Sequence, residues 1–271
     1  MVRDLCFRGV ARWLYRRLVR SWVHNPLWLQ RLKLLWYGWG YWPLFNMRTL
    51  SLRNRTKLLC SFLRVDWAVE HCHTPFEIAL VARELAQRRA RSGEYFVEAG
   101  CWRGGSTAKI SLVCRLLGYQ LHVHDSFEGV ERGGEYPETQ GCAPQYACPL
   151  AAVEHNVKRY GCLESCEFHK GWFSETFQRT QSGAPIRGVF IDCDLAKGSR
   201  EVLGGVLPSL ADDGFVFSQD YHLEPVRRLF ASPDTWRSLG VPDPRITVLD
   251  QRLALLRFNS DGQKTPAVPD T

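Results

Sequence analysis

Three patterns that would assign a function directly are missing from the sequence. It has neither the G-x-G-x-x-G turn of dinucleotide-binding folds nor the Gly-Lys-Ser/Thr of phosphate-binding loops. Its ten cysteines do not pair into the C-x-x-C knuckles of zinc sites. We expect Cys101, Cys114 and Cys193 to be reduced thiols inside strands and helices. The neighbouring His71 and His73 are interpreted as loop or helix-cap residues rather than as metal ligands.

No segment is suited to crossing a membrane or to serving as a secretory signal. The most apolar window, residues 22–45, carries Arg31 and Lys33 near its middle, where charge is costly in a bilayer. Arginines interrupt the apolar residues before it, and no small-residue cleavage site follows them. We therefore expect a cytoplasmic protein.

The composition is that of an ordinary globular chain, with 45% hydrophobic and 23% charged residues in 271. The net charge of +7 is uneven, because arginines and tryptophans crowd residues 1–64. Apolar residues recur there at helical spacing, which predicts amphipathic helices. One interpretation is peripheral contact with an anionic membrane or an acidic partner, and the other is packing of this face on the rest of the protein. We assign residues 1–73 to a helical, basic, Trp-rich extension.

Strands and helices alternate from Thr74 onward, which predicts an α/β, Rossmann-like fold with a mostly parallel sheet. The sheet should have seven strands and end in an antiparallel hairpin. This domain is predicted to span residues 74–258, and residues 259–271 are predicted to be a disordered tail. The predicted helices are 76–91, 106–117, 149–160, 173–181, 198–210 and 223–231. The predicted strands are 95–98, 120–125, 166–170, 187–192, 214–219, 245–250 and 253–258.

A glycine-rich turn after the first strand is the most informative segment. The glycines at 100, 104 and 105 let backbone N–H groups approach a ligand, and Ser106 and Thr107 are expected to cap the next helix. A turn that merely packs tightly is the alternative. The second strand ends in Asp125, a position that commonly binds ribose hydroxyls. Together they favour an adenosine-bearing cofactor.

Polar residues also follow two later strands. Asp192 follows one strand, while Gln219, Asp220 and His222 follow the next. Neighbouring strand ends should bring Asp192, Gln219 and Asp220 together as oxygen ligands for Mg²⁺, which could bind a substrate hydroxyl and lower its pKa. The alternative is that Asp192 and Asp220 only cap helices or form hydrogen bonds with the backbone. The polar loop 127–148 is interpreted as a lid rather than disorder.

Five ordered motifs carry a family resemblance: V-E-A-G-C-W-R-G-G-S-T, H-D-S-F-E-G, K-G-W-F-S-E-T-F, I-D-C-D-L and D-G-F-V-F-S-Q-D-Y-H. Over about residues 74–258 the chain resembles the macrocin/mycinamicin O-methyltransferase family (TylF/MycF type) of class I methyltransferases. The resemblance implies S-adenosylmethionine as cofactor and Mg²⁺ as metal. The implied catalytic residues are Asp192 and His222, and the implied metal ligands are Asp192, Gln219 and Asp220. The implied cofactor-binding residues are Glu98, Gly100, Trp102, Gly104, Gly105, Ser106, Asp125, Ser126, Gly171, Trp172 and Asp192.

Two departures from the family pattern leave alternatives open. Gln219 stands where the family usually has an acid, and Lys197 adds positive charge beside the predicted metal. The first hypothesis is Mg-assisted O-methylation of a small hydroxylated acceptor, such as a sugar or aromatic moiety of a secondary metabolite. The second is a non-catalytic S-adenosylmethionine-binding module docked at a membrane. Nucleic-acid methylation is disfavoured because no base-flipping motif is present. A homo-oligomer is left open.

Overall fold

The computed structural model describes residues 38–131, 146–179 and 183–258, and the structural statements below concern these residues. The helices are α1 (Leu52–Ala68), α2 (Pro75–Leu85), α3 (Gly105–Leu117), α4 (Leu150–Tyr160), α5 (Phe173–Arg179), α6 (Ala196–Val206), α7 (Glu224–Ala231) and α8 (Pro233–Ser238). The strands are β1 (Tyr95–Ala99), β2 (Gln120–Asp125), β3 (Cys166–Lys170), β4 (Ile186–Ile191), β5 (Leu210–Ser218), β6 (Arg245–Val248) and β7 (Ala254–Arg257).

The strands form one seven-stranded sheet in the order β3-β2-β1-β4-β5-β7-β6. Strands β1 to β5 pair in parallel, and β7 joins β5 and β6 antiparallel, which confirms the predicted sheet and its terminal hairpin. The register places Ala99 beside both His124 and Ile191, and Ile191 beside Ser218. The carboxyl ends of β1, β2, β4 and β5 therefore meet at one edge.

Helices cover both faces of this sheet, which explains why β1 and β4 are buried along their whole length. Alternate residues of each strand enter two separate hydrophobic clusters. Phe96 and Phe190 belong to one cluster, while their neighbours Val97 and Val189 belong to the other. This period of two is what a strand covered on both sides requires.

Helix α2 begins where the sequence predicts, because Thr74 and Glu77 form a reciprocal capping box ahead of the helix. The Thr74 hydroxyl accepts from the Glu77 N–H at 3.1 Å, and the Glu77 carboxylate accepts from the Thr74 N–H at 2.7 Å. The helix ends at Leu85, not at residue 91 as predicted. Beyond its end, Arg88 pairs with Glu94 and Asp213, contacts that a sequence pattern does not reveal.

The start of α3 differs from the prediction. The helix begins at Gly105, so Ser106 and Thr107 lie inside its first turn and do not cap it. The N-cap is Gly104, which has a φ of 78° and makes no side-chain capping bond. This left-handed conformation costs glycine little, which explains the residue at this position.

Other boundaries shift by a few residues. Helix α6 is shorter than the predicted 198–210, because a short 3₁₀ turn, Leu207–Ser209, contains Pro208 and leads straight into β5. Helix α8, which begins at Pro233 after Ser232, is absent from the predicted helices. The end of the predicted helix 173–181 lies outside the described residues.

The described part of the N-terminal extension packs on the domain. A 3₁₀ helix, Gly38–Asn46, and α1 contribute Tyr41, Leu44 and Phe62 to the same hydrophobic cluster as Phe96 of β1. Residues 1–37, and the predicted tail 259–271, lie outside the described residues. Within the part that the structure describes, no helix combines the length and apolarity that a membrane span requires.

The eight described cysteines are free thiols. Cys114 is buried inside α3, as predicted. Cys101 and Cys193 lie in the turns just after β1 and β4 rather than inside a strand or helix. Burial raises the pKa of the Cys101 and Cys193 thiols, which keeps them protonated.

Candidate active site

A cavity opens at the carboxyl ends of β1, β2 and β4, where parallel α/β sheets commonly bind ligands. Of the predicted site residues, nine line this cavity: Gly100, Trp102, Gly105, Ser106, Asp125, Ser126, Gly171, Trp172 and Asp192. Glu98, Gly104, Gln219, Asp220 and His222 do not line it. The predicted residues thus separate into a group exposed to the cavity and a group outside its lining.

The glycine-rich turn is held against the strand beside it. Gly100 has a φ of 88°, and a Cβ there would lie 1.9 Å from the Asp192 carbonyl oxygen. A Cβ on Gly105 would lie 2.7 Å from the Cβ of His71. The glycines therefore allow two neighbouring segments to contact the turn closely, which leaves its other side facing the cavity.

Glu98 is fully buried beneath this turn. Neither carboxylate oxygen makes a hydrogen bond of good geometry, although the Ser106 and Thr107 hydroxyls lie close enough to interact. Burial raises the pKa of Glu98 to about 7, with the nearby Asp125 adding to the rise. Glu98 is therefore a carboxyl whose ionisation is sensitive to a bound charge near neutral pH.

Asp125 joins the end of β2 to the glycine-rich turn. Its Oδ2 accepts from the Cys101 N–H at 2.7 Å and the Trp102 N–H at 3.3 Å. Its Oδ1 accepts from the Phe127 N–H at 2.6 Å. Because an ionised carboxylate has about four acceptor positions and three are taken, Asp125 retains capacity for about one hydroxyl donor in the cavity.

The far side of the cavity contains Gly171 and Trp172, which follow β3. Trp172 is 37% exposed and borders the cavity. Gly171 donates its N–H to the Asp125 carbonyl at 3.1 Å, which fixes this segment against the end of β2. A flat ring near Asp125 suits a planar, ring-containing ligand.

Three carboxylates gather at the ends of β4 and β5. Burial, followed by the charges of Asp220 and Asp194, raises the pKa of Asp192 well above its usual range. Burial raises the pKa of Asp220 to about 7, although its Oδ2 accepts from the backbone N–H groups of Cys193 and Asp194 at 2.9 and 2.8 Å. Asp192 and Asp194 line the cavity, where a substrate can reach them, whereas Asp220 does not.

The donor atoms expected for Mg²⁺ fit the metal in kind. The Asp220 Oδ1 and the Gln219 Oε1 are buried without a hydrogen bond of good geometry, although the Glu77 carboxyl lies near enough to Gln219 to interact. With the Asp192 carboxylate, these are three oxygen donors, the type that Mg²⁺ prefers. One of the three is a neutral amide, so the set carries one charge fewer than three acids.

Arg252, which the sequence analysis missed, is the cation of this group. It reaches the cavity from the connection between β6 and β7, and it donates to the Cys72 carbonyl at 3.0 Å. Burial opposes its charge, yet Glu77, Asp192 and Asp220 raise the pKa of Arg252. Its place in the predicted hairpin was the one signal in the sequence. The local pattern does not indicate that this hairpin brings Arg252 close to Asp192 at the end of β4.

Two predicted residues lie elsewhere than expected. The Lys197 ammonium pairs with Glu131 at 2.7 Å and with Glu201 at 3.8 Å, and Arg252 rather than Lys197 acts on the pKa of Asp192. His222 follows β5 on an exposed turn outside the cavity lining. Residues 132–145 of the predicted lid lie outside the described residues, while Gly129, Glu131 and Tyr146 from its two ends line the cavity.

The sheet order and the cavity define a class I methyltransferase fold. Two solved structures share this fold. The match to the O-methyltransferase NovP has a TM-score of 0.54 and 23% identity, and it covers 61% of this chain and 72% of the NovP chain. The calicheamicin methyltransferase CalS11, with a TM-score of 0.58 and 18% identity, covers 89% of this chain and 97% of its own. At these identities the similarity shows the fold alone.

A family model described as macrocin O-methyltransferase (TylF) matches residues 84–253, and the chain belongs to this family. It is 33% identical over 162 residues to an 8-demethyl-8-(2,3-dimethoxy-alpha-L-rhamnosyl)-tetracenomycin-C 4'-O-methyltransferase of Streptomyces olivaceus, covering 55% of this chain and 60% of that protein. It is 29% identical over 143 residues to a demethyldecarbamoylnovobiocin O-methyltransferase of Streptomyces niveus, covering 48% and 53%. The matches thus span less than two thirds of either relative.

Proposed function

We propose that this protein is an S-adenosylmethionine-dependent O-methyltransferase that methylates a hydroxyl of a small molecule, such as a sugar or aromatic moiety of a secondary metabolite. The observation that carries the proposal is one cavity that combines Asp125, which is hydrogen-bonded to the glycine-rich turn, with the reachable carboxylate of Asp192. Family membership supports the reaction type. The two Streptomyces relatives, named for O-methylation, support a secondary-metabolite acceptor.

The proposed cofactor position follows the cavity from Ser106 to Trp172. The turn from Glu98 to Ser106 would hold the methionine end, and a negative Glu98 nearby would favour the positive ammonium of that end. Asp125 would accept a hydrogen bond from a ribose hydroxyl, with Ser126 beside it. Gly171 and Trp172 would flank the adenine, which the exposed indole ring supports.

Asp192 is the proposed general base. A carboxylate with a raised pKa holds a proton better than an ordinary aspartate, so it is better suited to accept one from an acceptor hydroxyl. The cofactor supplies an electrophilic methyl group on a sulfonium. Asp192 would take the hydroxyl proton as the oxygen bonds to that methyl carbon, and the electrons of the broken carbon–sulfur bond would leave with S-adenosylhomocysteine. The catalytic role of His222 stays a prediction from sequence.

We further propose that Mg²⁺ binds Asp192, Gln219 and Asp220, where it would polarise the acceptor hydroxyl. The unpartnered buried oxygens of Gln219 and Asp220 support this site, whereas the nearby Arg252 charge would weaken it. Gln219→Asp should therefore raise Mg²⁺ affinity, measured by calorimetry without cofactor. Equal affinities in the two proteins would exclude Gln219 as a ligand.

The test of the proposed function is calorimetric titration of the purified protein with S-adenosylhomocysteine, with and without Mg²⁺. Saturable one-to-one binding supports the cofactor proposal, and an effect of Mg²⁺ on affinity supports the metal proposal. No binding under either condition would refute cofactor use.

A second candidate is a non-catalytic S-adenosylmethionine-binding module docked at a membrane through residues 1–64. Exposed aromatic side chains favour it, because Trp39 is 83% exposed and Trp42 48% exposed. The exposed Arg48 and Arg53 lie close in sequence, and a basic, aromatic surface suits anionic lipid. Sedimentation with anionic liposomes that weakens with salt would support this candidate. If the same amount of protein sediments with and without liposomes, membrane contact is excluded.

A further inference from the structure

Histidine and glutamate side chains meet at the edge of the sheet, on strands β2 and β3. The register pairs His122 of β2 with Glu167 of β3, and His169 lies two residues after Glu167, on the same face of its strand. One ligand atom from each of the three side chains can be chosen so that all lie within 4.8 Å of one another. The three ligands thus come from adjacent strands, with His122 facing Glu167 and His169 facing His124.

We propose that His122, Glu167 and His169 bind a zinc ion at this edge. Two histidines and one glutamate are a ligand set that zinc uses, with water in the remaining position. The His122 Nδ1 and the His169 Nε2 are 3.1 Å apart. Two nitrogens bound tetrahedrally to one zinc ion are separated by about 3.3 Å, so the imidazoles are close to the required spacing.

The glutamate can complete the site by a small movement. The Glu167 Oε1 lies 3.6 Å from the His169 Nε2, while its Oε2 lies 3.7 Å from the His122 Nε2, the ring nitrogen that does not face His169. The carboxylate would therefore rotate toward an ion held by the His122 Nδ1. The Glu167 side chain is 63% exposed, while those of His122 and His169 are 13% and 11% exposed. The two imidazoles are therefore held in place, and the carboxylate is free to rotate toward an ion that enters from solvent.

Aromatic contacts orient both imidazoles. The Tyr95 ring lies 4.1 Å from that of His122, and the His124 ring lies 4.4 Å from that of His169, between centroids. Burial lowers the pKa of both His122 and His169, with Glu167 opposing the change in each. Neutral imidazole is the form that binds metal, so neither ligand must lose a proton first at neutral pH.

The other group of potential ligands in the described part of the chain differs in a decisive way. Asp66, His71 and His73 are also close together, but all are fully buried and the Lys109 ammonium contacts both Asp66 and His73. That ammonium provides the positive charge which an ion would bring. The group on β2 and β3 contains no such lysine, and it opens to solvent at Glu167.

The proposal is independent of methyl transfer, and zinc there would join the two strands that lead to Asp125 and Gly171. The test is zinc titration of untagged, EDTA-treated protein in competition with a chromophoric chelator, with cobalt(II) absorption as a report of tetrahedral coordination. We expect one saturable site per chain and a rise in melting temperature. His122→Gln and His169→Gln should each weaken binding at least about 100-fold, since even outer-shell changes cost roughly 10–100-fold.

The matched control is His155→Gln, which changes an exposed histidine on α4 and should leave zinc affinity unchanged. Glu167→Gln should weaken binding while retaining an oxygen ligand. Far-UV circular dichroism checks that each variant is folded. Zinc affinity that is equal in wild type and the folded His122→Gln/His169→Gln double variant would overturn the proposal, as would the absence of saturable binding to wild type. The 3.1 Å contact would then be only a hydrogen bond between two histidines.

Discussion

Replacing Asp125 by alanine tests the proposed cofactor position most sharply. Backbone N–H groups occupy three of the about four acceptor positions of Asp125, and the proposal adds a ribose hydroxyl as the fourth donor. A hydrogen bond to a charged group contributes about 1.5–3 kcal/mol. Loss of that bond should weaken S-adenosylhomocysteine binding by about 1.5–3 kcal/mol, which is roughly 10- to 150-fold. Calorimetric titration of wild type and variant measures the difference directly.

The control for this experiment is Asp234→Ala, which removes an aspartate whose side chain is 84% exposed. It should leave the affinity unchanged. Asp125→Ala must be folded by circular dichroism, because its backbone hydrogen bonds are also lost. A folded Asp125→Ala protein that binds S-adenosylhomocysteine within a few-fold of wild type would refute the ribose-binding role.

Three further predictions concern stability, measured by urea denaturation. Gly100→Ala should destabilise the fold by about 1–3 kcal/mol or more, because a positive φ and a clash with the backbone after β4 strain the turn; an unchanged midpoint would contradict this. Lys109→Met should cost about 3–5 kcal/mol, since it leaves Asp66 buried without its ammonium partner, whereas Lys158→Met on the surface should cost little. Burial raises the pKa of Glu98 above its unfolded value, so folding favours the protonated form and stability falls as pH rises from about 4.5 to about 7. Glu98→Gln should remove up to about 3 kcal/mol of that loss between pH 5 and pH 8, and identical pH profiles would show that Glu98 does not titrate.

The sheet and half of the site follow from local pattern. Alternation of strands and helices predicts the parallel sheet, and the sheet then places Asp125 and Asp192 at a common edge without any knowledge of packing. The glycines at 100 and 104 indicated a special turn, and both have positive φ. These features depend on residues close in sequence, which is why the sequence reveals them.

The missed features depend on contacts between distant segments. Arg252 reaches the acidic group because the final hairpin pairs with β5, and Arg88, beyond the end of α2, pairs across 125 residues with Asp213. The Lys197 side chain pairs with Glu131 rather than with Asp192 or Asp220. Likewise, His122 and His169 meet only through the pairing of β2 with β3. A pattern in one segment contains no information about which partner another segment supplies.

Methyl transfer itself tests the central claim most directly. Wild-type protein is incubated with methyl-labelled S-adenosylmethionine and a panel of deoxysugar and phenolic acceptors. The products are then identified by mass spectrometry. We predict label on an acceptor hydroxyl together with an equal amount of S-adenosylhomocysteine. Asp192→Asn should lose most of this activity while it still binds S-adenosylhomocysteine. Tight cofactor binding without transfer to any hydroxyl of the panel would contradict the enzymatic account and favour the non-catalytic binding module.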